Sequence, residues 1–327
     1  MDHTLLTQGL HAWLHDQNWQ VVDMAPIVGG YAATLYHLNL LDDTGDSRSA
    51  VYKMFAKDRN KEAVWYRDVF AHAPELVPEV YGYVDREGEQ GIVMEDCGVP
   101  LKALAAKRSR EAQSHLWHQA LVWLADMHLH YEHRLSELIS AGLISTYPVE
   151  SSETWARFAT DQLSKLADQK ERSSLITKKE VDTLVSMSDW LYPRYAGWLN
   201  GRVTLTHGDP HHGNLLVSGA NFRLIDWEAT CAAIPQRDLA IFLQDVLDEK
   251  QLQALQTAYF RHLEAGGWNV DQSEFQEAFQ AVYFDNTLMM LGWEVYQYFE
   301  GHISRNAIEH IVTTKLSWLK RAYSQLR

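Results

Sequence analysis

The segment that joins Asn214 to Asp226 constrains the fold of this chain more than any other part of its sequence. Two short apolar runs, 215–217 and 222–225, flank the small-residue turn 218–221. This pattern predicts a β-hairpin, and a hairpin brings the residues at its two open ends together. Asn214 stands just before the first strand and Asp226 just after the second. The sequence therefore predicts an amide and a carboxylate that lie side by side.

Oxygen ligands of this kind suit a hard divalent cation. Mg²⁺ takes few protein oxygens and completes its coordination shell with water and phosphate. Asp209 lies five residues before Asn214, in a loop where Gly208 and Gly213 permit sharp backbone turns. We therefore expect Asn214 and Asp226 to hold Mg²⁺, with Asp209 available as a base beside the metal.

The order of an Asp, four residues, an Asn, a hairpin and a second Asp is how kinase-type phosphotransferases place their base and metal ligands. On these residues the chain resembles the aminoglycoside phosphotransferase and choline kinase superfamily, small-molecule kinases with a protein-kinase-like fold. Residues 207–209 resemble that family's form of the catalytic His-Arg-Asp, and residues 225–227 resemble its replacement for Asp-Phe-Gly. The resemblance implies an ATP- and Mg²⁺-dependent transfer of the γ-phosphate to a small-molecule hydroxyl, with Asp209 as the catalytic base.

Two further residues resemble the family's ATP-binding pair. Lys53 lies in a predicted strand, and Glu62 lies in the predicted helix that follows. The resemblance implies that Lys53 contacts the α- and β-phosphates and that Glu62 pairs with Lys53. The alternatives are a solvated strand lysine at a sheet edge and a surface glutamate that the helix dipole favours.

The resemblance also implies a phosphate-covering loop and an adenine contact. Adjacent Gly29 and Gly30, followed by Tyr31, let backbone N–H groups approach anionic oxygens, although the same residues could form a plain hairpin turn. Met94 and Glu95 begin the segment expected to lie along the adenine, where backbone groups would contact the base.

Supporting and acceptor-binding residues are less specific. We expect His207 to be a packed support for the loop, and Asp238 resembles a family aspartate that braces this loop from the following helix. Residues 283–300 mix acids with aromatics, a surface that could hold a cationic amine by charge and cation–π contacts. The candidates are Asp285, Trp293, Glu294 and Glu300. The alternative is an amphipathic core helix with a solvated acidic face.

The periodicity of apolar residues predicts an α+β chain with a small antiparallel sheet first and long helices after it. The predicted elements are a leading helix at 4–18, strands at 36–40, 50–55, 79–84 and 91–95, and helices at 60–71, 111–132 and within 237–327. The expected fold is two-lobed and protein-kinase-like. Its predicted parts are an N-terminal nucleotide-binding lobe (1–95), a hinge (96–100) and a C-terminal catalytic and acceptor-binding lobe (101–327).

Composition bears on the cellular compartment and on the possible partners of the protein. Cys97 and Cys231 have no paired spacing, which argues against a disulfide framework and favours the cytoplasm. A net charge of −14 argues against nucleic acid as a partner, and no segment has the apolar length needed to cross a bilayer. A small-molecule acceptor is the expected partner, and the oligomeric state is left open.

Two alternatives remain at the level of the sequence. The chain could be a nucleotide-binding pseudoenzyme or regulator of the same fold, although the expected catalytic residues are all present. It could also be a zinc-dependent hydrolase, because imidazole and carboxylate are ordinary zinc ligands. The candidate zinc ligands are His207, His211, His212, Asp209 and Asp226. The zinc alternative leaves Asn214 unexplained.

Overall fold

The computed structural model of the protein describes residues 7–27, 33–57, 59–86, 88–169 and 175–327. These residues form two units, each with its own hydrophobic interior. The first unit comprises Met1–Gln113 and His212–Ala229, and the second comprises Ser114–His211 and Thr230–Arg327.

The first unit is built on a five-stranded antiparallel sheet with the strand order β1-β2-β3-β5-β4. A second sheet has the order β6-β8-β9. The elements of this unit are α1 (Gln8–Asp16), β1 (Gln20–Ile27), β2 (Ala33–Leu41), β3 (Ser47–Phe55), α2 (Lys61–Val64), β4 (Val80–Arg86), β5 (Glu89–Glu95), β6 (Val99–Pro100), α3 (Leu101–Ala105), β8 (Leu215–Ser218) and β9 (Asn221–Leu224).

The core of the first unit forms where α1 packs on the larger sheet. Leu10, Trp13 and Leu14 of α1 contact buried residues of four strands, among them Leu38 and Tyr52. Burying large apolar side chains in this way is the main favourable contribution to folding. In the strand order of this sheet, β3, which carries Lys53, is a central strand between β2 and β5.

The second unit is mainly helical and centres on one long helix. Its elements are most of α4 (Arg110–Glu132), α5 (Leu135–Ser140), α6 (Glu150–Asp168), α7 (Lys178–Leu199), β7 (Thr204–Thr206), β10 (Cys231–Ala233), α8 (Gln236–Leu243), α9 (Glu249–Ala265), α10 (Gln272–Phe299) and α11 (Arg305–Gln325). Helix α10 contacts α6, α7, α8 and α11. Because it is apolar on nearly all sides, it is buried.

The α+β prediction, with a small antiparallel sheet and a mainly helical C-terminal part, is confirmed. Strand β1 was not predicted, because most of its side chains are exposed and it lacks alternation. It is an edge strand, which also explains how it tolerates Pro26. The prediction of one continuous α-helix at 60–71 was wrong, because three short helical segments occupy this range. Helix α2 is short and continues as a π-helical turn (Trp65–Val69) and a 3₁₀ turn (Phe70–His72).

Helix α1 is shorter than predicted, beginning where the Thr7 side chain accepts a hydrogen bond from the Leu10 N–H. The division into lobes at 96–100 stays a prediction. Across the described ranges, none of the helices combines the length and the apolar character that a membrane span requires.

Gly292 allows α10 to approach α6 closely. A Cβ atom added at Gly292 would lie 2.4 Å from the Cα of Ala159, which is backbone and has little freedom to move. We expect Gly292→Ala to lower the free energy of unfolding by about 1–3 kcal/mol through overpacking, measured by urea denaturation. Gly197→Ala is the control, because an added Cβ there meets nothing within 4 Å. That change removes a helical glycine from α7 and should stabilise slightly. Equal effects of the two changes would refute the packing argument.

Candidate active site

The hairpin predicted between Asn214 and Asp226 is present. Strands β8 and β9 pair from Leu215 with Leu224 to the turn, where Gly219 adopts a φ of +62°. The Ile225 N–H donates to the Asn214 carbonyl at 3.1 Å, which closes the open end of the hairpin. Residues 214 and 226 therefore flank the same end of one hairpin, as predicted.

Lys53 contacts two carboxylates in the first unit. Its Nζ donates to Glu62 Oε2 at 2.5 Å and to Asp226 Oδ1 at 3.0 Å. The Lys53 and Glu62 side chains are only 12% and 3% exposed, whereas that of Asp226 is 45% exposed. The structure therefore does not show a solvated edge lysine or a surface glutamate. It shows a buried ion pair with one accessible acidic partner.

Electrostatics hold this lysine in its charged form. Burial by itself would lower the pKa of Lys53, but the negative charges of Glu62 and Asp226 outweigh burial, and its pKa lies above the ordinary value. Burial also raises the pKa of Glu62, and the ammonium of Lys53 opposes that rise. Lys53 therefore carries a fixed positive charge, and Asp226 is the more exposed of its two acidic partners.

The backbone at Asp226 is strained. Asp226 has a φ of +68°, a region that residues other than glycine rarely adopt. The following residue anchors it: Trp227 is fully buried, with its ring centroid 4.1 Å from that of Phe70. The Trp227 N–H also donates to Glu62 Oε1 at 3.3 Å. Strain that the surroundings enforce in this way concentrates at functional positions, and here it accompanies the contact of Asp226 with Lys53.

The loop that carries Asp209 belongs to the second unit, where Asp238 holds it. Asp238 accepts hydrogen bonds from the His207 N–H at 2.7 Å and the Gly208 N–H at 2.9 Å. It also contacts His128 Nε2 at 3.1 Å. Burial would raise the pKa of Asp238, but the hydrogen bond with His128 and those from the loop outweigh it, so its pKa lies below the usual range. A buried anion therefore fixes the two residues before Asp209.

The loop conformation leaves the Asp209 carboxylate accessible. Gly208 has a φ of +85°, which explains the glycine at this position. The Asp209 N–H donates to Nδ1 of the fully buried His207 at 3.2 Å, while the Asp209 side chain is 49% exposed. His211 Nε2 lies 3.8 Å from Asp209 Oδ2. His207 thus contacts the backbone of the loop, and the acidic group of Asp209 faces solvent.

The contacts described above do not test the residues proposed to bind the nucleotide base and to cover the phosphates. Gly29, Gly30 and Tyr31 lie outside the described residues. Met94 is buried in β5, and the Glu95 N–H donates to the Glu79 carbonyl at 2.8 Å. The roles of these five residues stay predictions.

The four candidate acceptor-binding residues do not form one cluster. Asp285 is buried, and Glu294 forms a largely buried ion pair with Lys315 at 2.9 Å. Trp293 lies in α10 with its ring centroid 5.5 Å from that of Tyr296, and Glu300 is an exposed residue at the end of this helix. The core-helix alternative describes α10 well, except that Asp285 is not on a solvated face.

Sequence reasoning missed the network around Asp285. This carboxylate accepts hydrogen bonds from the hydroxyls of Ser152 (2.9 Å), Tyr192 (2.8 Å) and Tyr195 (2.8 Å). Burial raises the pKa of Asp285, and these donors oppose the rise. The partners come from α6 and α7, far away in the chain, so no local pattern could have indicated them.

The zinc alternative finds no support in the geometry. Among the described residues, no three His, Cys, Asp or Glu side chains form a group that could hold a metal ion. The five residues considered for zinc include His207, which is enclosed and contacts the Asp209 backbone, and Asp226, which contacts Lys53.

A lysine paired with a buried glutamate, a hairpin flanked by Asn and Asp, and a braced loop aspartate are the features expected of a phosphotransferase with a protein-kinase-like fold. Residues 23–272, more than half of the chain, match the sequence model of the Phosphotransferase enzyme family. The chain belongs to this family, and it is a small-molecule kinase. The family resemblance found in the sequence is thereby confirmed. A comparison with curated protein sequences gave no match.

Solved structures support the same fold. A choline kinase from Cryptosporidium parvum Iowa II is 13% identical, covers 93% of this chain and 89% of its own, and has a TM-score of 0.60. A macrolide 2′-phosphotransferase from Brachybacterium faecium is 14% identical, with 94% and 98% covered and a TM-score of 0.57. An amicoumacin kinase in complex with AMP-PNP and Ca²⁺ is 12% identical, with 92% and 89% covered and a TM-score of 0.59. At these identities the likeness establishes the fold alone.

Proposed function

We propose that the protein is an ATP- and Mg²⁺-dependent phosphotransferase that moves the γ-phosphate to a hydroxyl group of a small molecule. The observation that carries this proposal is the contact of Lys53 with both Glu62 and Asp226 beside the hairpin. Membership of the phosphotransferase family and the AMP-PNP bound to a similar structure support ATP as the donor. Acceptors of the aminoglycoside, amino alcohol and sugar types are the candidates.

The residues present fit a nucleotide with a divalent cation. Asn214 and Asp226 supply amide and carboxylate oxygens, the hard ligands that Mg²⁺ selects, and the Asp226 side chain is 45% exposed. When bound, Mg²⁺ neutralises phosphate charge. Lys53 would contact the α- and β-phosphates, and Glu62 orients the Lys53 ammonium.

Asp209 is the proposed base. It accepts the proton of the acceptor hydroxyl while the hydroxyl oxygen bonds to the γ-phosphorus and the bond from that phosphorus to the bridging oxygen of ADP breaks. The products are ADP and the phosphate monoester, with the proton on Asp209. The contacts of Asp238 and His207 with the loop backbone would hold this carboxylate in place.

An acceptor screen tests the proposal. Purified protein is incubated with Mg·ATP and panels of aminoglycosides, amino alcohols and sugars, and ADP release is measured alongside the phosphorylated acceptor by mass spectrometry. We expect at least one class to give stoichiometric ADP and phosphorylated product. Tight AMP-PNP binding without any product would favour the pseudoenzyme alternative.

Asp226→Asn should weaken Mg²⁺-dependent binding of AMP-PNP by at least about 10–100-fold, the loss that is typical when even a residue that only orients a metal ligand is changed. Asparagine tolerates the positive φ at this position, so the effect should reflect the missing charge. Isothermal titration with and without Mg²⁺ measures it. Glu228→Gln is the matched control, because Glu228 is a nearby acid that pairs with Arg59 at 2.7 Å on the surface. An unchanged dependence on Mg²⁺ in Asp226→Asn would remove Asp226 from the metal site.

A cytoplasmic location is also proposed. Cys97 and Cys231 are both free and buried, as is usual for proteins of a reducing compartment. Fractionation of cells that express a tagged full-length chain tests this location.

A further inference from the structure

Arg237 is a positive charge that the proposed reaction does not use. It lies in the first turn of α8, directly before Asp238. Its guanidinium carbon is 3.4 Å from the centroid of the Tyr147 ring, a close cation–π contact. Its Nε is buried and has no hydrogen-bond partner, and no ion pair of Arg237 occurs within the described part of the chain.

One buried acid near Arg237 is engaged elsewhere. Asp285 contributes to the electrostatic environment of Arg237 without forming an ion pair with it. Its two oxygens receive three hydroxyl donors, from Ser152, Tyr192 and Tyr195. A charge that serves structure alone is normally paired, because desolvating an unpaired ion is costly. Arg237 lacks that direct pairing.

The residues around Arg237 differ in how far they are buried. Asp285 and Tyr195 are buried, whereas Tyr147, Tyr192 and Arg237 itself are partly exposed. The partial exposure of Tyr147, Tyr192 and Arg237 marks the side from which a ligand would approach.

Arg237 is also close in the chain to the brace of the proposed base. The adjacent Asp238 accepts hydrogen bonds from the two residues that precede Asp209. All of these residues belong to the same unit. A group bound at Arg237 would thus be held by the unit that carries Asp209.

We propose that Arg237 binds an oxyanion of the acceptor, a carboxylate or a phosphate, so that the acceptor is a hydroxy compound bearing a negative charge. This inference rests on the proposed function and adds a substrate class to it. A guanidinium presents a planar set of N–H donors that matches two oxygens of either anion, while one of its faces stacks on an aromatic ring. One face of the Arg237 guanidinium stacks on the Tyr147 ring, and its Nε has no hydrogen-bond partner, so its N–H donors are the groups that such a ligand would contact.

The test uses acceptor pairs that differ by one anionic group. L-homoserine is compared with 3-aminopropan-1-ol for the carboxylate arm, and glucose 6-phosphate with glucose for the phosphate arm. We expect the wild-type protein to prefer the anionic member of one pair. Arg237→Gln should raise the KM for that acceptor by about 10–100-fold with a smaller change in kcat, and Arg237→Lys should restore part of the loss.

Titration with inorganic phosphate and with acetate in the presence of AMP-PNP, followed by tryptophan fluorescence, gives a readout that is independent of turnover. Binding that Arg237→Gln abolishes, while its melting temperature stays near that of the wild type, supports the inference. Turnover of neutral acceptors with no anionic preference, or a preference that Arg237→Gln retains, overturns the inference and leaves the proposed function standing. If no acceptor of any class is phosphorylated, the proposed function fails, and the anion titration alone decides whether Arg237 is an anion site.

Discussion

Asp209→Asn should lower kcat by about 10²–10⁴-fold, the contribution typical of a positioned general base. Asparagine has nearly the same shape as aspartate but does not accept the hydroxyl proton at neutral pH. The backbone contact of Asp209 with His207 Nδ1 is independent of the carboxylate, and the side chain is half-exposed, so the loop should keep its conformation. Steady-state ADP release at saturating acceptor measures kcat, and titration with Mg·AMP-PNP should show unchanged nucleotide affinity.

His211→Ala is the matched control for this experiment. His211 lies 3.8 Å from the Asp209 carboxylate and is comparably exposed, so it is the nearest alternative base among the described residues of the loop. We expect the loss of the imidazole to change kcat only a few-fold, well below the 10²–10⁴-fold of a general base. A large loss in His211→Ala with a near-normal rate in Asp209→Asn would transfer the role of base to the histidine.

The hairpin was predictable because every signal for it is local. A small-residue turn between two apolar runs determines which residues meet, and nothing outside residues 214–226 is needed to place its two ends together. The pairing of Lys53 with Glu62 could be expected only through the family resemblance. Its contact with Asp226 joins residues 173 positions apart, which neither spacing nor composition determines.

The features that sequence reasoning missed depend on tertiary packing. Strand β1 is an exposed edge strand, so its sequence lacks the apolar alternation that marks a half-buried strand. The hydroxyl groups that surround Asp285 come from Ser152, Tyr192 and Tyr195, at least 90 residues away in the chain. The brace of the catalytic loop includes His128, which has no distinguishing neighbours in α4 and becomes a partner of Asp238 only in the folded unit.

Asp238→Ala should lower the free energy of unfolding by about 3–5 kcal/mol, the usual cost of removing one partner from a buried charged network. Asp238 is fully buried, and its loss would leave the N–H groups of His207 and Gly208 without their acceptor. Urea denaturation monitored by tryptophan fluorescence measures the change. Asp238→Asn, which retains one oxygen acceptor, should cost less and remain folded enough for kinetic measurements, in which a displaced Asp209 would appear as a lower kcat.

Asp271 is the matched control, and pH separates the two aspartates further. Asp271 also accepts two backbone N–H bonds, from Ser273 and Glu274, but it is an exposed cap of α10 where water can replace it, so Asp271→Ala should cost much less. Because the folded-state pKa of Asp238 lies below the unfolded value of about 3.9, its contribution is present above that pH and is lost as the pH falls through the folded-state pKa. The stability difference between wild type and Asp238→Asn should therefore narrow below about pH 4. Equal costs for the two alanine variants would show that burial is not what makes Asp238 important.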